Sequence, residues 1–459
     1  MGKQSTPSFE SSRGERTTYG LFAFGAILSY YMIMSYLQLY MTNIGISAAA
    51  VGLIFIFAKV WDAVNDPIFG VIVDKLNFKR GKYRPWLRIS SIFIPVTTIL
   101  LFVIPNGFSV QIKILWSAIA YVLWDTAYTM YDVPMSAIVT AMTESQFERA
   151  KLYSLAAFFV YLGGIIVAIA VPMLYPTIGW GMTVLIIGVL SFVSMAALPA
   201  KAKERHLGTA EREISIKEIL LSLIRNKYLL IFTLAAIIGS VTNFALTLNG
   251  YFAIYCLGSA TWITPIALAT AVPVLFVVLF VPKLFKKVDK FKAYIVTRFI
   301  TIGIDILIFT LGYANTTVLL ALIVIKNIFA AVWGVSAIMF IADCVEYGQF
   351  RTGERTQGIA FSTKAFTNKI IVALTGALAM FCLSAYGFVS GVGAVQSQFT
   401  INGIWFLYAF MPIVGSALSV AILLLFYKLR DKDVQIMTRA NNGEITREEA
   451  VSQLSRKFV

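Results

Sequence analysis

The chain has 459 residues, of which 59% are hydrophobic and 13% charged, and its formal net charge is +15. Soluble domains contain roughly 45–50% apolar and about 25% charged residues, so this composition excludes an ordinary soluble protein and indicates a membrane protein. The basic residues are concentrated in the loops between apolar runs. We therefore expect them to face a membrane surface, and no nucleic-acid partner is predicted.

Long apolar runs recur along the whole chain. Each is about twenty residues or longer, which is enough to cross a hydrocarbon layer of roughly 30 Å as a helix. The sequence predicts twelve transmembrane helices, near residues 19–43, 49–74, 86–105, 110–141, 150–174, 180–199, 228–255, 262–282, 293–312, 316–342, 357–387 and 402–427.

The longest polar interval falls after the sixth predicted helix. It predicts an all-α membrane protein with two six-helix bundles, the layout of a two-bundle transporter. The predicted divisions are an N-terminal segment at 1–18, a first bundle at 19–199, a central loop at 200–227, a second bundle at 228–427 and a C-terminal tail at 428–459. The tail is expected to be solvated, and His206 in the central loop is expected to be a surface residue without a functional role.

Basic residues occupy alternate loops, whereas the intervening loops are short and almost uncharged. By the positive-inside rule, this asymmetry predicts that both termini and the basic loops are cytoplasmic in a plasma membrane, as for a bacterial inner-membrane protein. The loops concerned contain Lys79, Arg80 and Lys82, then Arg149 and Lys151, then Lys201 and Lys203, then Lys286, Lys287 and Lys290, and finally Arg351 and Arg355.

The second predicted helix contains "AKVWDAVNDPIFG", which places ionisable residues inside an apolar run. Asp62 and Asp66 are four residues apart and therefore share one helical face, with Asn65 and Lys59 close by. Carboxylates in a membrane must face protein or water and require a positive partner. The pattern predicts a site for Na⁺ or for a proton; the alternative is an internal salt bridge from Lys59 to one aspartate.

The fourth predicted helix contains "WDTAYTMYDVPMS". Asp125, Tyr128, Thr129 and Asp132 recur at helical spacing, and a tyrosine beside a carboxylate is a pairing suited to sugars, whose hydroxyls favour charged acceptors. The alternative is a polar seam between helices. In the eleventh predicted helix, Lys369 lies deep enough to need a carboxylate partner.

Three stretches resemble one family of transporters. "AKVWDAVNDPIFGVIVDKLNFKRGKYRPWL", "MYDVPMSAIV" and "ADCVEYGQFRTGERTQGIAFS" are similar to the motifs of the glycoside-pentoside-hexuronide:cation symporters, a branch of the major facilitator superfamily that includes the melibiose carrier. The resemblance covers essentially the whole chain. It implies a major facilitator fold and cation-coupled transport of a glycoside.

The resemblance also implies roles for individual residues. The family's cation site corresponds to Asp62, Asn65, Asp66 and Thr129, which would be the metal ligands if the coupling ion is Na⁺. Its substrate site corresponds to Asp132 and Tyr128, with Asp125 and Lys369 as further candidates, and its cytoplasmic gate resembles Asp343, Glu346 and Arg355.

Some positions depart from the melibiose carrier pattern. Ala26 and Ile27 replace a sugar-binding lysine-aspartate pair, Ala156 stands near the place of an arginine, and Ser136 replaces an aromatic residue. The cation residues are thus retained while part of the sugar site is changed. We expect coupling to persist with a different substrate.

The sequence therefore predicts a secondary active transporter that moves a glycoside, oligosaccharide, pentoside or hexuronide together with Na⁺ or H⁺ by alternating access. The expected partners are the small sugar and the lipid bilayer. We expect a functional monomer without a cofactor other than the coupling cation. The alternatives are a carrier of a lysolipid or other amphiphile on the same fold, or a non-transporting membrane sensor. An enzyme is not predicted, because the sequence shows no nucleophile-base pair.

Overall fold

The computed structural model describes residues 9–76, 78, 81–206, 216–278, 280–285, 287–353 and 357–454. Within these residues the chain is helical and forms no strand. The first helices are α1 (Arg13–Asn43), α2 (Ala48–Lys75), α3 (Arg84–Phe102), α4 (Val110–Met142), α5 (Gln146–Ala196), α6 (Leu198–Lys201) and α7 (Ile216–Arg225). They are followed by α8 (Lys227–Gly239), α9 (Phe244–Thr247), α10 (Asn249–Tyr251), α11 (Ile263–Val277), α12 (Val281–Phe285) and α13 (Lys290–Leu311). The last are α14 (Thr316–Thr352), α15 (Gln357–Ala385), α16 (Gln398–Trp405), α17 (Met411–Phe426), α18 (Asp431–Asn441) and α19 (Arg447–Gln453).

Among the described residues, ten helical segments are long and apolar enough to cross a membrane. One of them runs for 56 residues from Gln146 to Lys201 and bends at Gly179, where φ is 77° and ψ is 166°, so it covers the fifth and sixth predicted helices. The 33-residue α4 is not among the ten and carries Lys113, Asp125 and Asp132. These segments are consistent with the twelve predicted helices, and the all-α membrane fold class is confirmed.

Polar caps fix where several of these helices begin. The hydroxyls of Ser47, Ser109 and Ser145 accept hydrogen bonds from backbone amides in the first turns of α2, α4 and α5. Asn226 and Asn315 do the same for α8 and α14. Such caps satisfy amides that have no partner within the helix, which explains why long apolar segments start at single polar residues.

The chain divides into two compact units. The first comprises Met1–Glu213 with Phe388–Val395, and the second comprises Ile214–Gly387 with Gln396–Val459. In the first unit, glycines let α1 approach α5 closely: a Cβ atom added at Gly25 would lie 2.6 Å from the carbonyl oxygen of Ser191. Contacts between small residues are typical of membrane helices, because they bring two backbones together.

The second unit has a core that extends beyond its apolar helices. Tyr228, Phe340, Cys344 and Tyr427 are buried there, and the same cluster includes side chains of α18 and α19. Met437 and Ala450 are 0% exposed. The prediction of a solvated tail is therefore wrong for these side chains, because two amphipathic helices bury their apolar faces on the second unit.

Candidate cation and substrate site

The candidate cation residues lie on two neighbouring helices of the first unit. Asp62 and Asn65 on α2 are each 6% exposed, and Asp125 and Thr129 on α4 are each 3% exposed. Asp66 is partly buried. Spacings of three and four residues on each helix place these groups on facing sides, as the sequence predicts.

Thr129 joins the two helices. The amide nitrogen of Asn65 donates a hydrogen bond of 2.9 Å to the Thr129 hydroxyl. That hydroxyl in turn donates a hydrogen bond of 3.0 Å to Oδ1 of Asp66. The same hydroxyl lies 3.2 Å from the backbone carbonyl of Asp125. Three of the four predicted cation residues, Asn65, Asp66 and Thr129, are therefore in direct contact.

Lys59 connects Asp62, the fourth predicted cation residue, to Asp125 on α4. Its Nζ lies 3.3 Å from Oδ2 of Asp62 and 3.0 Å from Oδ1 of Asp125. The sequence correctly suggests a salt bridge within α2, but the bond to Asp125 was not predicted. Oδ2 of Asp125 is buried and has no hydrogen-bond partner among the described residues. The lysine thus occupies a position between two carboxylates where a free cation would also be attracted.

The donor set suits a monovalent cation better than a divalent one. In the described part of the chain, no group of three or more His, Cys, Asp or Glu side chains is arranged to hold a metal. The predicted cation residues on α2 and α4 comprise two carboxylates, an amide and a hydroxyl, and hard oxygen ligands suit small hard cations. The residues present therefore fit Na⁺ or a proton as a coupling ion.

An aromatic cluster lies beside these polar groups. The ring centroid of Tyr128 is 5.1 Å from that of Trp124, 5.4 Å from that of Tyr30 and 5.0 Å from that of Tyr131. Sequence reasoning found Tyr128 but missed Tyr30 on α1 and Trp124, although the local run "LSYYM" is rich in aromatic residues. Trp124 and Tyr131 are buried, whereas Tyr30 and Tyr128 are partly exposed and offer apolar ring surfaces on which a sugar can pack.

Asp132 differs from the other carboxylates of α4. It is exposed, whereas Asp125 and Thr129 are buried. The predicted common face of α4 therefore contains two environments, one packed against α2 and one accessible. An accessible carboxylate close to an aromatic cluster is chemically suited to accept hydrogen bonds from sugar hydroxyls.

Lys369 lies on α15 of the second unit and is partly buried. The predicted approach of this lysine to the cation residues stays a prediction.

The predicted gate residues lie in the second unit, and two of them have described partners. Oδ1 and Oδ2 of Asp343 lie 2.7 Å and 2.8 Å from Nζ of Lys290, which is also 3.2 Å from Oδ1 of Asp431 in the tail. Glu346 accepts a hydrogen bond of 2.9 Å from the side chain of Asn441. Arg355 lies outside the described residues, so its predicted pairing stays a prediction.

Solved structures define the class of this fold. A bacterial homologue of the human lysosomal transporter Spinster, in an inward-facing conformation, has a TM-score of 0.69 at 14% identity and covers 91% of this chain and 99% of its own. The nucleoside transporter NupG has a TM-score of 0.67 at 13% identity, covering 90% and 99%. The chain therefore has the same helical fold as these two solved structures.

The family follows from sequence. The model for the family described as "MFS/sugar transport protein" matches residues 18–431, and the chain belongs to this family. The isoprimeverose transporter of Lactiplantibacillus pentosus is 31% identical over 90% of this chain and 88% of its own length. A putative glycoside/cation symporter of Escherichia coli is 28% identical, covering 86% and 87%. The resemblance to the glycoside-pentoside-hexuronide:cation symporters is confirmed.

Proposed function

We propose that this transporter couples the entry of Na⁺ or H⁺ to the uptake of a glycoside. The observation that carries the proposal is the set of buried oxygen groups on α2 and α4, in which Thr129 contacts Asn65 and Asp66 while Lys59 holds Asp62 and Asp125. Charged groups inside membrane segments are costly, at least about 2.5–3.5 kcal/mol each, so their presence favours a functional role.

A bound cation would act through charge. It would neutralise the carboxylates on α2, fix Thr129 and thereby order α4, on which Tyr128 and Asp132 lie. Substrate affinity then rises with cation occupancy, and by linkage cation affinity rises equally with substrate. Lys59 would serve as the internal counter-ion when the cation leaves. Alternate exposure of this site to the two sides of the membrane completes a transport cycle.

The substrate class is supported by the aromatic cluster and by the relatives. One relative is named an isoprimeverose transporter, one a putative glycoside/cation symporter and one a glucuronide carrier protein homologue. Tyr30 and Tyr128, which are partly exposed, offer ring surfaces for a pyranose, and Asp132 offers an acceptor for hydroxyls. We propose a bacterial inner-membrane location with both termini in the cytoplasm, a functional monomer and no cofactor besides the coupling cation.

Uptake into proteoliposomes tests the proposal. Purified protein is reconstituted, a Na⁺ or a proton gradient is imposed separately, and labelled pentosides, disaccharides, hexuronides and a lysolipid are offered. We expect accumulation of a glycoside above its external concentration under one of the two gradients. Accumulation of the lysolipid alone would support the amphiphile carrier, and absence of any transport would support a sensor.

A further inference from the structure

Lys59 on α2 is held by carboxylates of two different helices. Its Nζ lies 3.0 Å from Oδ1 of Asp125 on α4 and 3.3 Å from Oδ2 of Asp62 on α2. Both aspartates are buried, and 13% of the lysine side chain is exposed. Because each member of a buried ion pair is destabilised when it loses its partner, the ammonium group stays with at least one of the two carboxylates.

The two carboxylates differ in their relation to the proposed cation site. Asp62 is four residues before Asp66, so the two share one face of α2, and both are predicted cation residues. Asp125 is not one of them and lies on the neighbouring helix. While Lys59 contacts Asp62, it neutralises a charge that an incoming cation needs. If Lys59 contacts Asp125 alone, Asp62 is available to the cation.

Asp125 can accept more hydrogen bonds than it does. Its Oδ1 contacts Lys59, whereas its Oδ2 is buried and has no hydrogen-bond partner among the described residues. A lysine ammonium has three N–H donors on a flexible four-carbon chain, and a buried acceptor without a donor is costly. Asp125 therefore offers Lys59 a second oxygen to contact when the bond to Asp62 breaks.

We propose that Asp125 is a positioning residue that draws Lys59 away from Asp62 when the coupling cation binds. The inference rests on the proposed function and adds to it a determinant of cation affinity. When Na⁺ or a proton reaches Asp62, the ammonium group of Lys59 gives up this carboxylate and donates to both oxygens of Asp125. Asp125 thus reduces the competition between Lys59 and the cation, and it contacts neither the cation nor the sugar.

The alternative is that Asp125 attracts the cation directly, through its own negative charge. Removal of that charge would then weaken cation binding whether or not Lys59 is present. If Asp125 acts through Lys59, the effect disappears together with the lysine. A double-mutant cycle on the two residues separates these accounts.

The affinity for the coupling ion is measured on the full chain in lipid nanodiscs, without sugar. Titration calorimetry with NaCl gives the affinity for Na⁺, and potentiometric titration gives the affinity for H⁺ from the proton uptake that is lost in Asp62→Asn. We expect Asp125→Asn to weaken binding of the coupling ion at least fivefold and Lys59→Met to tighten it. Adding Asp125→Asn to Lys59→Met should change the affinity by at most about twofold.

Two further variants control for charge and shape. Asp125→Glu keeps the carboxylate and should retain most of the wild-type affinity. Glu144→Gln removes an exposed carboxylate of the first unit and should leave the affinity unchanged. Each variant is checked for a monodisperse gel-filtration peak. Should Asp125→Asn not fold, Lys59→Met still tests the inference, because it removes the competing ammonium group.

Three outcomes would overturn the inference. The first is an equal loss of ion affinity from Asp125→Asn with and without Lys59. The second is a lower melting temperature of Asp125→Asn with unchanged ion affinity, which would make Asp125 only a structural contact between α2 and α4. The third is unchanged or weaker ion binding in Lys59→Met.

Uptake in proteoliposomes separates this inference from the proposed function. If a glycoside is accumulated and the cycle shows no dependence on Lys59, the inference alone fails. If the cycle gives the expected signs and no glycoside is accumulated under either gradient, the inference holds for the ion site and the proposed function fails. If the wild type binds neither Na⁺ nor a proton at Asp62, both fail.

Discussion

Each unit contains one set of ionisable residues on facing membrane helices, and the two sets have excess charges of opposite sign. In the first unit, Lys59 contacts Asp62 and Asp125, and Thr129 contacts Asp66, so the carboxylates of this set outnumber its cations. In the second unit, Arg298 and Lys326 outnumber Asp305. The first set includes two ion pairs, from Lys59 to Asp62 and to Asp125, and the second set includes one, from Lys326 to Asp305. The comparison teaches that two sets of facing membrane helices in one chain can carry excess charges of opposite sign.

The uncharged side chains beside the two sets of charges also differ. The first set contains Asn65 and Thr129, whose oxygens can coordinate a cation without adding charge. The second set contains Trp333, whose ring stabilises a guanidinium. A carboxylate-rich site with neutral oxygens suits a hard cation, and a cation-rich site with aromatic support suits an organic anion.

The largest expected effect tests the first set directly. Asp66→Asn keeps the shape of the side chain but removes its charge, so we expect accumulation driven by the cation gradient to fall to equilibration with the outside. Exchange of substrate across the membrane should remain. Uptake and exchange are measured in the same proteoliposomes, with Glu144→Gln, an exposed carboxylate of the first unit, as the control.

Asp132→Asn sharpens this result. It should abolish substrate binding as well as uptake, since Asp132 is proposed to contact the sugar rather than the cation. If Asp66→Asn concentrates substrate as the wild type does, Asp66 is only a structural partner of Thr129. The cation would then bind elsewhere.

A second prediction concerns the ion pair between Lys59 and Asp125. Lys59→Met leaves two buried carboxylates without their cation, and the loss of one partner of a buried pair costs about 3–5 kcal/mol. We expect a clear fall in melting temperature in detergent. The double variant Lys59→Met with Asp125→Asn should recover most of the lost melting temperature, because only Asp62 then lacks the ammonium group of Lys59.

The double-variant comparison can also contradict this account. If both variants melt at the wild-type temperature, Lys59 is solvated and free to move, and the first unit has no fixed internal cation. Addition of Na⁺ provides a further measurement: it should stabilise Lys59→Met more than the wild type, since the added cation replaces the missing ammonium.

The sequence predicted most of the fold because membrane helices carry a strong local signal. The apolar runs predict α1 to α5 and the later long helices, and most of the predicted helix ends lie within a few residues of the observed ones. The predicted break between the fifth and sixth helices coincides with Gly179, whose φ of 77° and ψ of 166° are not helical. Docking of α18 and α19 was missed, since their short apolar faces are informative only with a partner surface.

The candidate site was predicted only in part for a physical reason. Asp62, Asn65 and Asp66 stand out because they interrupt an apolar run, and helical spacing places them on one face. The pairing of Lys59 with Asp125 depends on how α2 and α4 pack, which spacing within one helix cannot give. Arg298 and Lys326 each stand alone within an apolar stretch of their helices, so no local pattern indicated how α13 and α14 pack around them.

A third prediction tests whether the tail belongs to the second unit. Met437 is 0% exposed in a core that also contains Phe340 and Tyr427. Met437→Ala should destabilise the protein by about 2–5 kcal/mol, because it leaves a cavity. Met173→Ala is the control, since Met173 is 64% exposed. Equal melting temperatures for the two variants would show that the tail does not contribute to this core.

The smallest expected effect concerns the first unit outside its membrane helices. Nε2 of His206 lies 2.8 Å from Oε2 of Glu10, and its Nδ1 lies 3.2 Å from Oε1 of Glu144. The hydrogen bond from His206 lowers the pKa of Glu10 below its ordinary value of 4.5.

A carboxylate whose pKa is lowered by folding contributes stability above its unfolded pKa and loses it as the pH falls through the folded pKa. His206→Gln should therefore melt slightly below the wild type at pH 6, and this difference should vanish as the pH falls through the lowered pKa of Glu10. Melting curves across that range measure it, and a difference that grows on acidification would contradict the assignment of His206 as the donor to Glu10.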